Sequence, residues 1–210
     1  MASKGGRPTA RLTDRGAATK ARIVAGAATL VREYGVAGTS LDAVMTATGT
    51  SRSQLYHYFE NKDALIGEVI KTQFARVIAA QEPLLSELSS WEGLQRWCDH
   101  LVSMVSETQG VGGCPLGSLV SELADRSESA RQELARSFAD WQSYLSKGFA
   151  AMRANGELAA EADADDLALT MMSALQGGLL MGQATRSARP LELALNMALG
   201  HVARYRRSTA

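Results

Sequence analysis

A short polar and aromatic stretch near the start of the chain, GTSRSQLYHYFENKDAL at residues 49–65, holds the side chains best suited to binding chemistry. Leu55 and Phe59 lie four residues apart, so on a helix they share one inward face. The outward face then carries a polar set: Arg52, Ser53, Tyr56 and His57. Arginine can hydrogen bond guanine through two N–H groups, glutamine can bond adenine, and hydroxyls bond phosphate oxygens. The stretch therefore predicts a helix that presents a DNA-binding face.

Two short helices must position these side chains. TSLD at 39–42 and SRSQ at 51–54 both have the form of a capping box, which satisfies free N–H groups at a helix start. Two capped helices joined by a short turn with glycine form a helix-turn-helix, whose second helix enters the major groove of DNA. Thr39 and Ser40 add hydroxyls at the start of the first helix, and Lys62 adds a phosphate contact at the start of the next one.

Each of these contacts has a competing structural explanation. Ser51 and Thr39 can act as helix caps, a role that is compatible with DNA contact. Gln54 can bond back to the N-cap backbone, which ranks it below the arginine as a base reader. Tyr56 can simply cover the helix junction, and His57 can be a solvated surface histidine.

The segment TSLDAVMTATGTSRSQLYHYFENKDAL resembles the DNA-binding domain of TetR-family repressors, in which LYxHF followed by xxKxxL marks the recognition helix and the next helix. The resemblance runs from about Lys20 to Gln73. It implies a third-helix reader over 51–59 and a homodimer on a palindromic operator of double-stranded DNA. It also carries over a set of DNA contacts: Ser51, Arg52, Tyr56, His57, Tyr58 and Lys62. Tyr58 stands where the family often has histidine and Gln54 where small residues are usual, so the operator sequence is not carried over.

The second half contains GGCPLGSLVSEL at 112–123 and LQGGLLMGQATR at 175–186. These segments are similar to the LmrA/YxaF-like branch of the same family. That resemblance implies a small lipophilic effector, such as an antibiotic or a flavonoid, and control of an efflux or resistance gene. It also implies a homodimer that forms through the helices predicted at 164–185 and 190–205.

Side chains of the second half can line an effector pocket: Trp97, Leu101, Met104, Cys114, Phe138, Trp141, Tyr144, Met152, Met172 and Gln176. Aromatic and methionine side chains suit varied apolar ligands, although an ordinary hydrophobic core is the favoured explanation for any one of them. Gln176 is a lone amide in an uncharged helix beside Gly177 and Gly178, where glycine permits close approach. It can bond a ligand, or its symmetry mate in a dimer.

The cysteines and histidines do not suggest catalysis. Cys98 and Cys114 form no disulfide framework, and the three histidines are scattered without metal-ligand spacing. Phosphate-binding loops and hydrolase motifs are missing, so we expect no enzyme, no metal and no cofactor. Cys114 lies in a Gly/Pro loop without a nearby cation, which favours packing over reactivity. Two alternatives stay open beside an effector-released repressor: a redox-responsive repressor that uses Cys114, and a constitutive DNA-binding regulator without an effector.

Periodicity along the chain predicts an all-α fold of about nine helices. We expect a flexible basic arm over 1–16, a three-helix DNA-binding domain over 17–62, a connecting helix at 62–81, and an effector-binding and dimerisation domain over 82–210. The 210 residues are 46% hydrophobic and carry 22 acidic and 22 basic residues, so the overall charge indicates no partner. Basic residues nevertheless crowd the N-terminus: Lys4, Arg7, Arg11, Arg15, Lys20 and Arg22. Such an arm fits contact with a polyanion or a solvated tail.

The uncharged stretch at 167–185 is nearly long enough to span a bilayer. Its threonine, serine, glutamine and glycine residues favour instead a helix buried among other helices or in a subunit interface. Residues 1–20 lack the apolar segment of a signal peptide. We therefore expect a soluble cytoplasmic protein.

Overall fold

A computed structural model describes residues 13–207 and divides the chain into two units after Val69. This range contains nine α-helices and one turn of 3-10 helix at Leu84–Glu87, which confirms the predicted all-α fold. The helices are α1 Asp14–Gly38, α2 Leu41–Thr48, α3 Arg52–Tyr58, α4 Lys62–Ala79, α5 Trp91–Thr108, α6 Pro115–Leu123, α7 Glu128–Ala154, α8 Ala164–Thr185 and α9 Arg189–Ala203.

The first helix begins earlier than the sequence indicated. Thr13 caps α1 by accepting a hydrogen bond from Gly16 N at 3.2 Å, so residues 13–16 belong to the helix start and not to a flexible arm. Lys4, Arg7 and Arg11 lie outside the described residues. Gly35 interrupts α1 with φ 71°, a left-handed value that favours glycine.

The core of the first unit joins α1, α2, α3 and the first half of α4. Its buried residues are Ile23, Val24, Ala27, Ala28, Val44, Leu55, Phe59, Leu65 and Val69. A half-buried ion pair closes one side, with Lys20 Nζ 2.6 Å from Glu68 Oε2. The same ammonium lies 5.9 Å from the centre of the Phe59 ring. Lys20, one of the basic residues near the N-terminus, therefore has a structural role in this unit.

In the second unit, close backbone approaches position the helices. Gly148 of α7 packs against the residue that follows the 3-10 turn, because a Cβ there would lie 2.6 Å from Leu88 O. Gly178 of α8 packs against α9, where a Cβ would lie 2.7 Å from Leu191 Cα. Asp163 caps α8 by accepting hydrogen bonds from the backbone N–H groups of Asp165 and Asp166. The long helix α7 also packs beside α8.

Within residues 13–207, no helix, α8 included, is both long enough and apolar enough to cross a membrane.

The close approach at Gly148 gives a stability prediction. Gly148→Ala places a methyl group against the Leu88 backbone, which cannot move aside easily, and should destabilise the chain by about 1–3 kcal/mol. Gly67→Ala in α4 is the control, since a Cβ there meets nothing within 4 Å. That change should leave stability equal or raise it by about 0.5–1 kcal/mol through the helix propensity of alanine. Thermal and urea unfolding would measure both, and equal effects would contradict the packing described.

Candidate DNA-binding surface and ligand cavities

The recognition helix α3 is held at its start by the predicted capping box. Ser51 Oγ accepts from Gln54 N at 3.2 Å, and Gln54 Oε1 accepts from Ser51 N at 3.0 Å. The helix has only seven residues, so it depends on these caps and on burial of Leu55 and Phe59, which are at most 1% exposed. The predicted inward pair is confirmed. The side-chain oxygen of Gln54 already accepts a hydrogen bond from the N-cap backbone, which agrees with ranking Gln54 below Arg52 as a residue that reads bases.

The outward face of α3 carries the side chains predicted to read DNA. Arg52, Ser53, Tyr56 and His57 are all exposed. Arg52 Nη2 lies 3.5 Å from Asp42 Oδ1, but both side chains are more than 70% exposed, so the pair is weak and the guanidinium is accessible. His57 packs edge-on against Tyr58 with ring centres 4.8 Å apart. Cationic, hydroxyl and imidazole groups therefore share one solvent-facing surface.

The turn between α2 and α3 fixes how this face is presented. Gly49 ends α2 with φ 60° and ψ 33°, a left-handed conformation that favours glycine. Thr48 is buried, and its hydroxyl bonds Val44 O at 2.7 Å and Thr50 Oγ1 at 2.9 Å. Gly26 of α1 leaves room for the Thr48 methyl group. The turn is thus anchored to the core, which sets the direction of α3.

Two sequence-based assignments at the start of α2 need correction. The N-cap of α2 is Ser40, which accepts from Ala43 N at 3.1 Å, and not Thr39. Thr39 is buried, and its hydroxyl donates to Gly35 O at 2.8 Å, so it does not offer that group to DNA. The physical reason is the break in α1 at Gly35, which turns Thr39 inward. Ser40 is exposed, and its DNA contact stays a prediction.

Lys62 and Tyr58 each make contacts within the protein that the sequence did not predict. Lys62 Nζ donates to Val36 O at 2.5 Å and is half-buried. This bond ties the start of α4 to the end of α1. Tyr58 is partly buried and packs against the core of the first unit. Their DNA contacts remain predictions, with a structural role now established beside each.

The second unit contains two neighbouring cavities that share Cys114. The first has a volume of about 670 Å³ and lies among α6, α7 and α8. Its wall consists of Cys114, Gly117, Ser118, Val120, Ser121, Phe138, Gln176, Gly177, Leu180 and Gln183. The second, of about 280 Å³, includes Leu101, Met104, Val105, Cys114, Trp141 and Leu179. Both have the mainly apolar lining and scale of a small-molecule site.

The structure brings six of the ten predicted pocket residues to these cavities. Cys114, Phe138 and Gln176 line the first, while Leu101, Met104, Cys114 and Trp141 line the second. The Phe138 and Trp141 rings stack with centres 6.3 Å apart. The other four predicted residues line neither cavity: Trp97, Tyr144, Met152 and Met172.

Core packing accounts for three of those four. Trp97 and Met152 are fully buried and Met172 nearly so. Trp97 Nε1 also donates to Gln81 Oε1 at 2.9 Å, which gives its indole a structural partner. Their helical spacing predicted an inward direction correctly, but spacing does not distinguish a filled core from a cavity wall.

The small residues of α6 and α8 in the cavity wall were missed as site residues. Gly117 of α6 faces Gln176, since a Cβ there would lie 3.3 Å from Gln176 Oε1. At Gly177 a Cβ would meet nothing within 4 Å, so its surface is open to the cavity. The small residues in these two segments could have indicated the cavity wall from the sequence, because small residues leave space that larger side chains would fill.

Cys114 is a buried thiol at the N-terminus of α6. Burial raises its pKa above the ordinary value, against smaller lowering effects of the Gly117 and Leu116 backbone N–H groups. Gly117 N donates to its Sγ at 3.3 Å. Burial and the charge of Asp99 raise the Cys98 pKa to about 12. Both thiols are therefore protonated near neutral pH, which disfavours the redox alternative because the thiolate is the reactive form.

An exposed apolar surface covers one side of α8 and α9. Its large side chains are each more than half exposed: Leu169, Leu180, Met181, Leu193 and Met197. Leu169 of α8 and Met197 of α9 line one groove, and exposed apolar side chains that lie together mark an interaction surface. Residues 13–207 contain no cluster of three or more His, Cys, Asp or Glu side chains that could hold a metal ion.

Comparison with known proteins agrees with this geometry. Residues 23–69 match the family described as "Bacterial regulatory proteins, tetR family", and residues 91–198 match "Tetracyclin repressor-like, C-terminal domain". The chain is 26% identical over 185 residues to the regulator YxaF of Bacillus subtilis, covering 87% of this chain and 93% of that protein. It is 24% identical over 177 residues to LmrA of the same organism, covering 82% and 90%.

A TetR-family regulator from Cytophaga hutchinsonii has the same fold, with a TM-score of 0.81 at 20% identity over 95% of this chain and 100% of that one. The first unit has a helix-turn-helix whose recognition helix carries an outward polar face, and the second unit is helical. This arrangement is typical of a bacterial DNA-binding regulator. The chain belongs to the TetR family of transcriptional regulators.

The exposed face of α3 gives a binding prediction. Tyr56→Ala should weaken binding to a duplex selected by the protein from random sequences by about tenfold, the equivalent of one hydrogen bond to a charged phosphate. Tyr34→Ala is the matched control, because Tyr34 is an exposed tyrosine that belongs to α1 and not to α3. Fluorescence anisotropy would measure both affinities. Equal losses for the two variants would remove Tyr56 from the DNA contacts.

Proposed function

We propose that this regulator is a repressor that binds a palindromic operator as a homodimer and is released by a small lipophilic effector. The observation that carries the proposal is the pair of mainly apolar cavities around Cys114 in a chain that also has a DNA-reading helix. A regulator needs such a cavity only if a molecule enters it. Occupation of the operator blocks transcription directly, without a further activity.

The exposed apolar face of α8 and α9 supports the homodimer. Two copies that bury this face against each other would form a two-fold symmetric pair, the commonest arrangement of soluble oligomers. Such a pair carries two copies of α3. For both to enter successive major grooves, they must lie one helical turn apart, about 34–36 Å. The two-fold symmetry in turn requires a palindromic operator.

Leu180 supports a link between effector and dimer. It lines the larger cavity and is also 66% exposed on the α8 and α9 face. A ligand in that cavity would therefore touch a side chain of the dimer surface. A ligand can shift an equilibrium only through different affinities for the two states. We propose that the effector favours a dimer in which the two recognition helices no longer fit adjacent grooves.

The lipophilic character of the cavities also supports a role in defence. We propose that the controlled gene encodes a protein that exports or modifies the effector, since apolar toxic compounds are removed by efflux or resistance proteins. Operator binding requires access to the bacterial chromosome, so we place the regulator in the cytoplasm. The neighbouring genes would test this point, and a transporter or modifying enzyme is the expected finding.

The effector response is tested by DNA release. A panel of neutral lipophilic compounds is screened for binding, and each that binds is added to the complex of the protein with its selected duplex. At least one should weaken DNA affinity tenfold or more in an anisotropy titration. Val120→Phe, which fills the wall of the larger cavity, should retain DNA affinity and lose the response. If compounds that bind tightly leave DNA affinity unchanged, the chain is a constitutive regulator.

A further inference from the structure

Two buried N–H groups of the second unit have no hydrogen-bond partner. In residues 13–207, the only buried side-chain nitrogen or oxygen atoms in this condition are Trp141 Nε1 and Gln176 Nε2. Buried polar groups are almost always paired, because an unmade bond costs stability. Trp141 lines the smaller cavity and Gln176 the larger one. Both residues therefore belong to cavity walls, and each nitrogen is a buried donor that needs an acceptor.

The same residue types are fully paired elsewhere in this unit. Gln81 is buried, its Oε1 accepts from Trp97 Nε1 at 2.9 Å, and its Nε2 donates to Val77 O at 2.8 Å. A tryptophan and a glutamine thus satisfy each other in the core. Trp141 and Gln176 lack such partners, so their condition reflects their position at the cavities and not their residue types.

The neighbourhood of Gln176 leaves its N–H groups available. The amide lies beside the Cys114 thiol and acts to lower the pKa of that thiol, but the geometry leaves Nε2 without a hydrogen-bond partner. A thiol is in any case a weak acceptor. Gly117, opposite the amide, contributes no side chain. A stronger acceptor in the cavity would therefore compete successfully for this amide.

The chemistry of the walls specifies the ligand. Indole Nε1 can only donate and amide Nε2 donates, so the ligand must supply acceptor atoms. The larger cavity has no Lys, Arg, Asp or Glu in its wall, and a charged group there would lose its hydration without compensation. Arg76, in the wall of the smaller cavity, is exposed to solvent. An uncharged oxygen acceptor on an apolar frame fits these walls.

We propose that the effector is an uncharged lipophilic molecule with carbonyl or ether oxygens, which lies across Cys114 and accepts hydrogen bonds from Trp141 Nε1 and Gln176 Nε2. This inference rests on the proposed function, because it names the chemical class of its effector. Cys114 lines both cavities, so a molecule that bonds both donors would lie against this residue.

A matched set of three probes tests the acceptor directly on the full chain without DNA. Benzophenone has the carbonyl, diphenylmethane lacks it, and 4-benzoylbenzoate adds a negative charge. Calorimetry should show benzophenone binding about tenfold more tightly than either of the others, the gain expected from hydrogen bonds to buried donors. Gln176→Met and Trp141→Phe should each reduce this preference severalfold. No binding of benzophenone, equal binding of all three, or an unchanged preference in both variants would overturn the proposal.

A ligand-free measurement gives independent evidence. Gln176→Met keeps the side-chain volume and removes an unpaired buried donor, so the melting temperature should stay equal or rise by about 2–4 °C. Gln81→Met is the control, since it removes an amide that bonds both Trp97 and Val77, and it should lower the melting temperature. A loss for Gln176→Met as large as that for Gln81→Met would show that the Gln176 amide is already satisfied, and would overturn the proposal.

The two proposals fail in different ways. If benzophenone binds through Gln176 and Trp141 but never weakens DNA binding, the effector class stands and the release mechanism fails. If another compound releases DNA equally well from wild type and from Gln176→Met and Trp141→Phe, the release mechanism stands and the effector class is wrong.

Discussion

The burial of Leu55 and Phe59 beneath a seven-residue helix is the interaction on which DNA reading depends. A helix of two turns is not stable alone in water, because nucleation costs more than so few backbone bonds return. In α3 the capping box of Ser51 and Gln54 satisfies the first N–H groups, and the two apolar side chains attach the helix to the core. With that face fixed, Arg52 and its neighbours have no orientation available except toward solvent.

In the second unit, a different constraint applies: the helices approach one another closely, but side chains do not fill all the space between them. Gly148 and Gly178 let backbones meet, while Gly117 and Gly177 leave space between α6 and α8. The cost is visible in two buried donors without partners on the cavity walls. A core selected only for stability would pair these groups, as it pairs Trp97 with Gln81. The unit therefore combines a well-packed frame with two buried donors that lack partners, which supports the proposed effector site.

Local patterns were predictable from the sequence, and distant contacts were not. The helix order, the Ser51 cap and the inward pair depend on spacing of three or four residues, so periodicity showed them. Burial of Thr39 depends on the break in α1, and the Lys62 bond reaches a carbonyl 26 residues away. Likewise, periodicity placed Trp97 and Trp141 both inside, but only the packing of neighbouring helices separates a core residue from a cavity wall.

We propose that α3 reads the major groove through Arg52. Methylation interference on the selected duplex tests this proposal most directly. Guanine N7 lies in the major groove, where arginine bonds it. Methylation of that atom should block binding at two symmetric positions about 10 base pairs apart, as a dimer requires. In Arg52→Ala this interference should disappear while residual binding persists. Interference that is identical in wild type and Arg52→Ala, or that arises only from adenine N3 in the minor groove, would contradict the account.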